Sequence, residues 1–137
     1  MVSARGFTLV EITLVLAIIG ILASISLVAI NIPYQLQKAR DGTRKSDVRN
    51  IQSALELYRT DQAGYPASLP ACGSPLSAGG STYLQRVPCE TKSGWTAYSY
   101  TTPVANGYQL TACLENTNDL EGGAACGAGK LYTVTNP

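Results

Sequence analysis

Hydrophobic and polar positions fall into three regimes along this chain. From Phe7 to Ile32 nearly every position is apolar, and one charge, Glu11, interrupts the 26-residue run. Between Leu14 and Ile30 no residue is charged, and only Gly20, Ser24 and Ser26 break the apolar series. As helix the run extends roughly 39 Å, more than a hydrocarbon core of about 30 Å. A cleaved secretory signal carries a shorter apolar stretch of about 7–15 residues, so the length predicts a retained membrane anchor. Pro33 lacks a backbone donor and is expected to kink or loosen the helix there.

The second regime, Gln35 to about Asp61, is a wet helix with one apolar stripe. Val48, Ile51, Leu55 and Tyr58 recur at spacings of three and four, with Ala54 beside them. Gly42 weakens this helix by about 1 kcal/mol relative to Ala, which leaves a break there open. Gly64 and the Tyr65-Pro66 step are expected to stop it. In the third regime, residues 64 to 94 read as loop, and three strands follow: Trp95 to Thr101, Tyr108 to Leu114 and Leu131 to Thr135. Tyr108, Leu110, Ala112 and Leu114 point one way; Gln109, Thr111 and Cys113 point the other. Turn residues at Pro103 to Gly107 and Gly122 to Gly129 suggest an antiparallel meander. A sheet this small must cover one face, and the helix stripe is the available partner. The regions are therefore 1–6 (a polar, basic leader), 7–33 (apolar helix), 34–63 (amphipathic helix) and 64–137 (loop and sheet).

Charge changes the picture little. Ten Lys and Arg against nine Asp and Glu give a formal net charge of +1, which leaves no strong polyanion footprint. There is no His, which removes the commonest general base and metal ligand. No nucleophile elbow, P-loop or dinucleotide fingerprint occurs, so an enzyme is not expected. Four cysteines, Cys72, Cys89, Cys113 and Cys126, lie in the loop-rich half with gaps of 16, 23 and 12 residues and no CxxC pair. That spacing disfavours zinc and favours two disulfides in an oxidising, external compartment. The basic residues after the span (Lys38, Arg40, Arg44, Lys45, Arg49) point to a cytoplasmic C-terminal part by the positive-inside rule; the cysteines are given precedence. Asp41 and Asp47 interleave with those cations, which suits salt pairs with a neighbouring subunit's helix better than contact with DNA.

Taken together, "RGFTLVE" followed by a long apolar run resembles the class III signal of type IV pilins and type II secretion pseudopilins. "ARDGTRKSDVRNIQSALELYRTDQAGYP" is especially similar to major pseudopilins and related pilins. The resemblance covers the first 66 residues, and the remainder matches in general architecture alone. It implies an α+β pilin-like lollipop: a long N-terminal α-helix, transmembrane in its first half, packed on a small antiparallel β-sheet.

It also implies processing and assembly. A prepilin peptidase would cut between Gly6 and Phe7 and methylate the new amine of Phe7. That amine, with a reference pKa of about 7.7–8, is largely cationic at neutral pH. The Glu11 carboxylate of one subunit would meet the Phe7 amine of a neighbour or its own, a pair tolerable in a dry bundle where either charge alone is costly, and the pair would set register. Gly20 matches a family Gly, while Val28 stands where many type IV pilins have Pro, a departure that tilts the reading toward a pseudopilin.

The four cysteines allow three connectivities. Nearest-neighbour pairing, Cys72 with Cys89 and Cys113 with Cys126, is preferred, closing loops worth about 3 kcal/mol each. The second bridge would fall where type IV pilins commonly carry one. Major pseudopilins hold a calcium ion in C-terminal loops, and Glu115, Asn116, Asn118, Asp119 and Glu121 supply oxygens. A plain acidic turn is the preferred reading, with Asp119 and Glu121 as weak calcium candidates and no other cofactor expected.

The implied function is a structural subunit of a type IV pilus or a type II secretion pseudopilus. A minor pilin acting as a membrane-anchored DNA- or substrate-binding module is the alternative. Expected partners are further copies in a helical filament, the prepilin peptidase, the membrane, and an inner-membrane assembly platform with its ATPase; nucleic acid is not expected. The expected location is the cytoplasmic (inner) membrane in a single pass with an external C-terminal domain, then an extracellular or periplasmic filament.

Overall fold

The computed structural model describes residues 6–29, 31–102 and 107–136, with the backbone alone for 27–29. Leader residues 1–5, the Val28 side chain and most of the Pro103 to Gly107 turn lie outside the described residues. The chain divides into two compact units, Met1–Gln35 and Leu36–Pro137.

Helix α1 spans Leu9–Ala29. Its large apolar side chains are exposed on every side, from Leu9 and Val10 to Leu22 and Ile25. Among the described residues, no face of it is set aside for a protein core. The polar residues in it turn their hydroxyls onto the helix's own carbonyls: Thr13 Oγ1 donates to Val10 O at 2.9 Å, Ser24 Oγ to Ile21 O at 2.7 Å and Ser26 Oγ to Leu22 O at 2.9 Å. Such groups need no water, as a helix in hydrocarbon requires.

Helix α2 spans Ile32–Gln62, so the expected single rod is two helices. Asn31 caps the second one, its Oδ1 accepting from the Tyr34 backbone N–H at 3.3 Å. Pro33 falls in the first turn, where a missing N–H costs nothing. It starts a helix here instead of kinking one. Gly42 does not break α2. At the other end Ala63, not Gly64, adopts the left-handed conformation, with φ 58°. A side chain is strained there, so Ala63→Gly is expected to stabilise the protein by about 0.5–1 kcal/mol. Scanning calorimetry in detergent should read this as a rise of a few degrees in Tm.

The expected loop before Trp95 contains a hairpin of β1 (Leu76–Ala78) and β2 (Ser81–Leu84). Gly79 and Gly80, both at positive φ (57° and 83°), make its two-residue turn. The remaining strands, β3 (Ser99–Thr101), β4 (Gln109–Leu114), β5 (Gly122–Cys126) and β6 (Gly129–Thr135), form one antiparallel sheet in the order β3-β4-β6-β5. This corrects the three-strand meander. The segment "GGAAC" reads as turn in sequence because Gly and Ala are weak strand formers, yet it pairs with β6 at the sheet edge. Gly129 opens β6 because any side chain there would collide with the Leu114 carbonyl. The first expected strand shrinks to its last three residues; Trp95 to Tyr98 stay irregular.

The core joins Val48, Ile51, Ala54 and Leu55 of α2 to Leu110, Ala112 and Leu114 of β4 and to Tyr108 just before it. The alternation along β4 and the helix stripe therefore meet as expected. Tyr58 is the exception, since it is only partly buried at the core's margin.

Candidate functional site

Gly6 and Phe7 lie in non-helical backbone ahead of α1, with Phe7 79% exposed. Extended, open chain is what a peptidase cleft needs. The next residues close a capping box. The Glu11 backbone N–H donates to Thr8 Oγ1 at 3.2 Å, and the Thr8 N–H donates to Glu11 Oε2 at 3.5 Å. Two otherwise unpaired donors of the helix start are thus satisfied reciprocally. The sequence carries this signal as T-x-x-E, and reading Glu11 only as a charge in need of a partner overlooks it. Glu11 is anchored one turn from Phe7, at the start of a helix long and apolar enough to cross a membrane.

A second constellation is absent from the sequence reading. Asp41 and Arg44 continue the buried stripe of α2 toward its start, where the sequence shows charge. Arg44 grips Glu90 with two bonds, Nε to Oε2 at 2.7 Å and Nη2 to Oε1 at 2.7 Å. Its Nη1 donates to Asp41 Oδ1 at 2.7 Å and to Glu115 Oε1 at 2.8 Å. Glu115 also accepts from Arg40 Nε at 2.6 Å and from Lys92 Nζ at 2.8 Å. Asp41 takes the backbone N–H groups of Glu115 and Asn116, each at 2.8 Å. Trp95 covers the cluster, its Nε1 donating to Cys113 O and its ring lying against Lys92 and Arg44.

Expected partners on a neighbouring subunit are thus replaced, for Arg40, Asp41, Arg44 and Lys45, by partners within the chain. Asp47 likewise accepts from the Tyr98 hydroxyl at 2.7 Å. The long sequence separations hide these pairs, because nothing in a linear charge pattern says which loops fold back onto it.

The cysteine sulfurs are joined as Cys72–Cys89 and Cys113–Cys126, with Cα separations of 5.0 and 5.9 Å. The first bridge lies beside Glu90, and the second closes the turn that carries Glu115 and Asp119. Both therefore hold loops that supply carboxylates to α2.

Asp119 and Glu121, the calcium candidates, face a cation of the chain itself. Lys45 Nζ lies 2.8 Å from each Asp119 oxygen and 2.6 Å from Glu121 Oε2. The Glu121 N–H also donates to Asp119 Oδ1 at 2.9 Å. Calcium takes six to eight oxygens, and the oxygens here are turned onto an ammonium. The residues do not fit the ion.

Paired cations depress the carboxylates. Glu115 is held well below its ordinary 4.5 by the hydrogen bond from Arg40, then by those from Lys92 and Arg44, against burial. Arg44 lowers Glu90 and Lys45 lowers Asp119 in the same way. Burial opposes the charge on Lys45, but its bonds to Asp119 and Glu121 outweigh this and raise its pKa. Below about pH 4.5 the unfolded chain takes up protons that these folded carboxylates resist, so stability falls as pH falls. Thermal melts followed by circular dichroism should give a Tm that is flat from about pH 7 to about pH 5 and declines steadily toward pH 2.

A signal of Gly-Phe before a capped apolar helix, joined to an α+β pilin-like fold, defines the class. The family model described as the prokaryotic N-terminal methylation motif matches residues 1–27. The chain is similar to type II secretion system core protein G of several bacteria. It is 29% identical to that of Vibrio cholerae serotype O1 over 133 residues, covering 90% of this chain and 87% of the relative. It is 35% identical to that of Escherichia coli over 96 residues (63% of this chain, 65% of the relative). With that of Pectobacterium carotovorum the identity is 42% over 64 residues, 47% of this chain and 40% of the relative. The chain thus spans less than half the length of the relatives it matches at highest identity. No solved structure matches it.

Proposed function

We propose that this chain is a structural subunit of a type II secretion pseudopilus or a closely similar type IV filament, and not an enzyme. The observation that carries this reading is the N-terminal one: the methylation motif matches residues 1–27, in which Gly6-Phe7 precede a capped helix that is apolar on all sides. Such a helix is stored in a membrane and later gathered with others into a dry bundle. Prepilin peptidase releases the Phe7 amine and methylates it, and Glu11 meets that amine in the growing filament. An ATPase-driven platform in the inner membrane extracts each subunit, whose disulfide-tied domain faces the external compartment. The similarity to core protein G favours the pseudopilus. The nucleic-acid-binding alternative loses support, because Arg40, Arg44 and Lys45 already hold carboxylates.

Mass spectrometry of the chain matured in a processing-competent host tests the reading. The expected product begins at N-methylated Phe7 and is lighter by four hydrogens for two disulfides. A chain that still begins at Met1 overturns it.

A further inference from the structure

Two carboxylates set side by side on one short turn, Asp119 and Glu121, repel each other unless a cation sits between them. Here that cation belongs to the chain. An ammonium has three N–H donors, and Lys45 Nζ has three oxygens in reach. They are Asp119 Oδ1 and Oδ2, each at 2.8 Å, and Glu121 Oε2 at 2.6 Å. The Lys45 side chain is 18% exposed and that of Asp119 17%, so water competes weakly for the group. A second cation stands nearby, with Arg49 Nη2 3.9 Å from Glu121 Oε1. Two carboxylates thus meet two tethered positive charges, the same number that one calcium ion would bring.

Helix α2 sets this up. Asp41, Lys45 and Arg49 recur every four residues, which places them along one face. Asp41 accepts the backbone N–H groups of Glu115 and Asn116, each at 2.8 Å, where the turn begins. Lys45 takes its end, and Nζ also lies 5.6 Å from the centre of the Tyr132 ring in β6. The Cys113–Cys126 bridge closes the base. A calcium ion at the same oxygens, about 2.3–2.6 Å from each, would press against the like charge on Nζ.

We propose that the Lys45 ammonium is the structural cation of the β4–β5 turn. It takes the place of the calcium ion that the resemblance to major pseudopilins implies, so this chain holds its turn without a divalent ion.

Calorimetry of the full chain in detergent tests this without any filament. The parent Tm is expected to agree within about one degree in excess EDTA and in excess calcium chloride, since a ligand that binds neither state leaves stability unchanged. A resident site filled about a hundredfold over its Kd would raise Tm by roughly 10 °C on calcium addition. A calcium-dependent rise of more than a few degrees overturns the proposal.

Hydrogen exchange of the amides from 115 to 122 tests the lysine itself. Lys45→Met keeps an apolar stem and removes the charge, and is expected to speed exchange there roughly five- to tenfold. Adding Asp119→Asn and Glu121→Gln to Lys45→Met removes the repulsion left behind, and should return exchange most of the way to the parent rate. Exchange that stays as fast in the triple variant assigns Lys45 to packing alone and overturns the proposal. An unchanged rate in Lys45→Met does so as well. If Lys45→Met does not fold, the parent's response to EDTA and calcium still decides.

Discussion

Glu11→Gln is expected to leave Phe7 released and methylated but to abolish filaments. Gln accepts the Thr8 N–H as Glu does, and both satisfy the capping box, so α1 keeps its start. What the proposed pairing loses is the negative charge opposite a neighbour's terminal amine. A buried ammonium without its counter-ion costs about 3–5 kcal/mol, which converts to roughly 100- to 4000-fold in an association constant. Glu11→Ala removes the charge and, with it, the bond that the Thr8 N–H makes in the capping box. Comparing the two variants separates the two jobs. The measurement is the amount of subunit in the sheared-filament fraction, beside the N-terminal mass of the membrane-held pool. Filaments at parental level from Glu11→Gln would reduce Glu11 to a cap and remove the charge pair.

Arg44→Met is expected to cause the largest loss of stability among single changes. The side chain is almost wholly buried and ties together Asp41, Glu90 and Glu115. Removing it leaves Glu90 with the Lys92 backbone N–H but no cation, while Glu115 keeps Arg40 and Lys92. Breaking a buried pair costs about 3–5 kcal/mol, a large part of a stability of about 5–15 kcal/mol. Calorimetry of the full chain in detergent should show Tm falling by more than about 12 °C. Arg44→Lys should recover little, because one ammonium cannot reproduce the two-pronged grip on Glu90. Arg44→Met combined with Glu90→Met should lose less than the sum of the two single changes, as expected of coupled partners. A Tm within a degree or two of the parent for Arg44→Met would show the cluster to be energetically idle.

Some of this protein is determined by its sequence alone. The apolar run, broken by a single charge, makes α1, since one segment satisfies its own backbone out of water only as a helix. The three-and-four spacing of Val48, Ile51 and Leu55 and the alternation from Tyr108 to Leu114 name both halves of the core, because period and burial are local properties of a chain. Gly6-Phe7 ahead of Thr-x-x-Glu likewise marks the helix start within a few residues. What the tertiary structure decided is which distant groups share a dry site. Arg44 reads as one more exposed helix charge until the disulfide-tied loop brings Glu90 to it and the turn after β4 brings Glu115. Asp119 and Glu121 read as an acidic turn, with calcium a weak second reading, and only the fold sets Lys45 between them. The order β3-β4-β6-β5 also depends on a strand of Gly and Ala that finds its place by pairing at an edge, not by propensity. Charges act through space and strands through their neighbours, and neither distance is written along the chain.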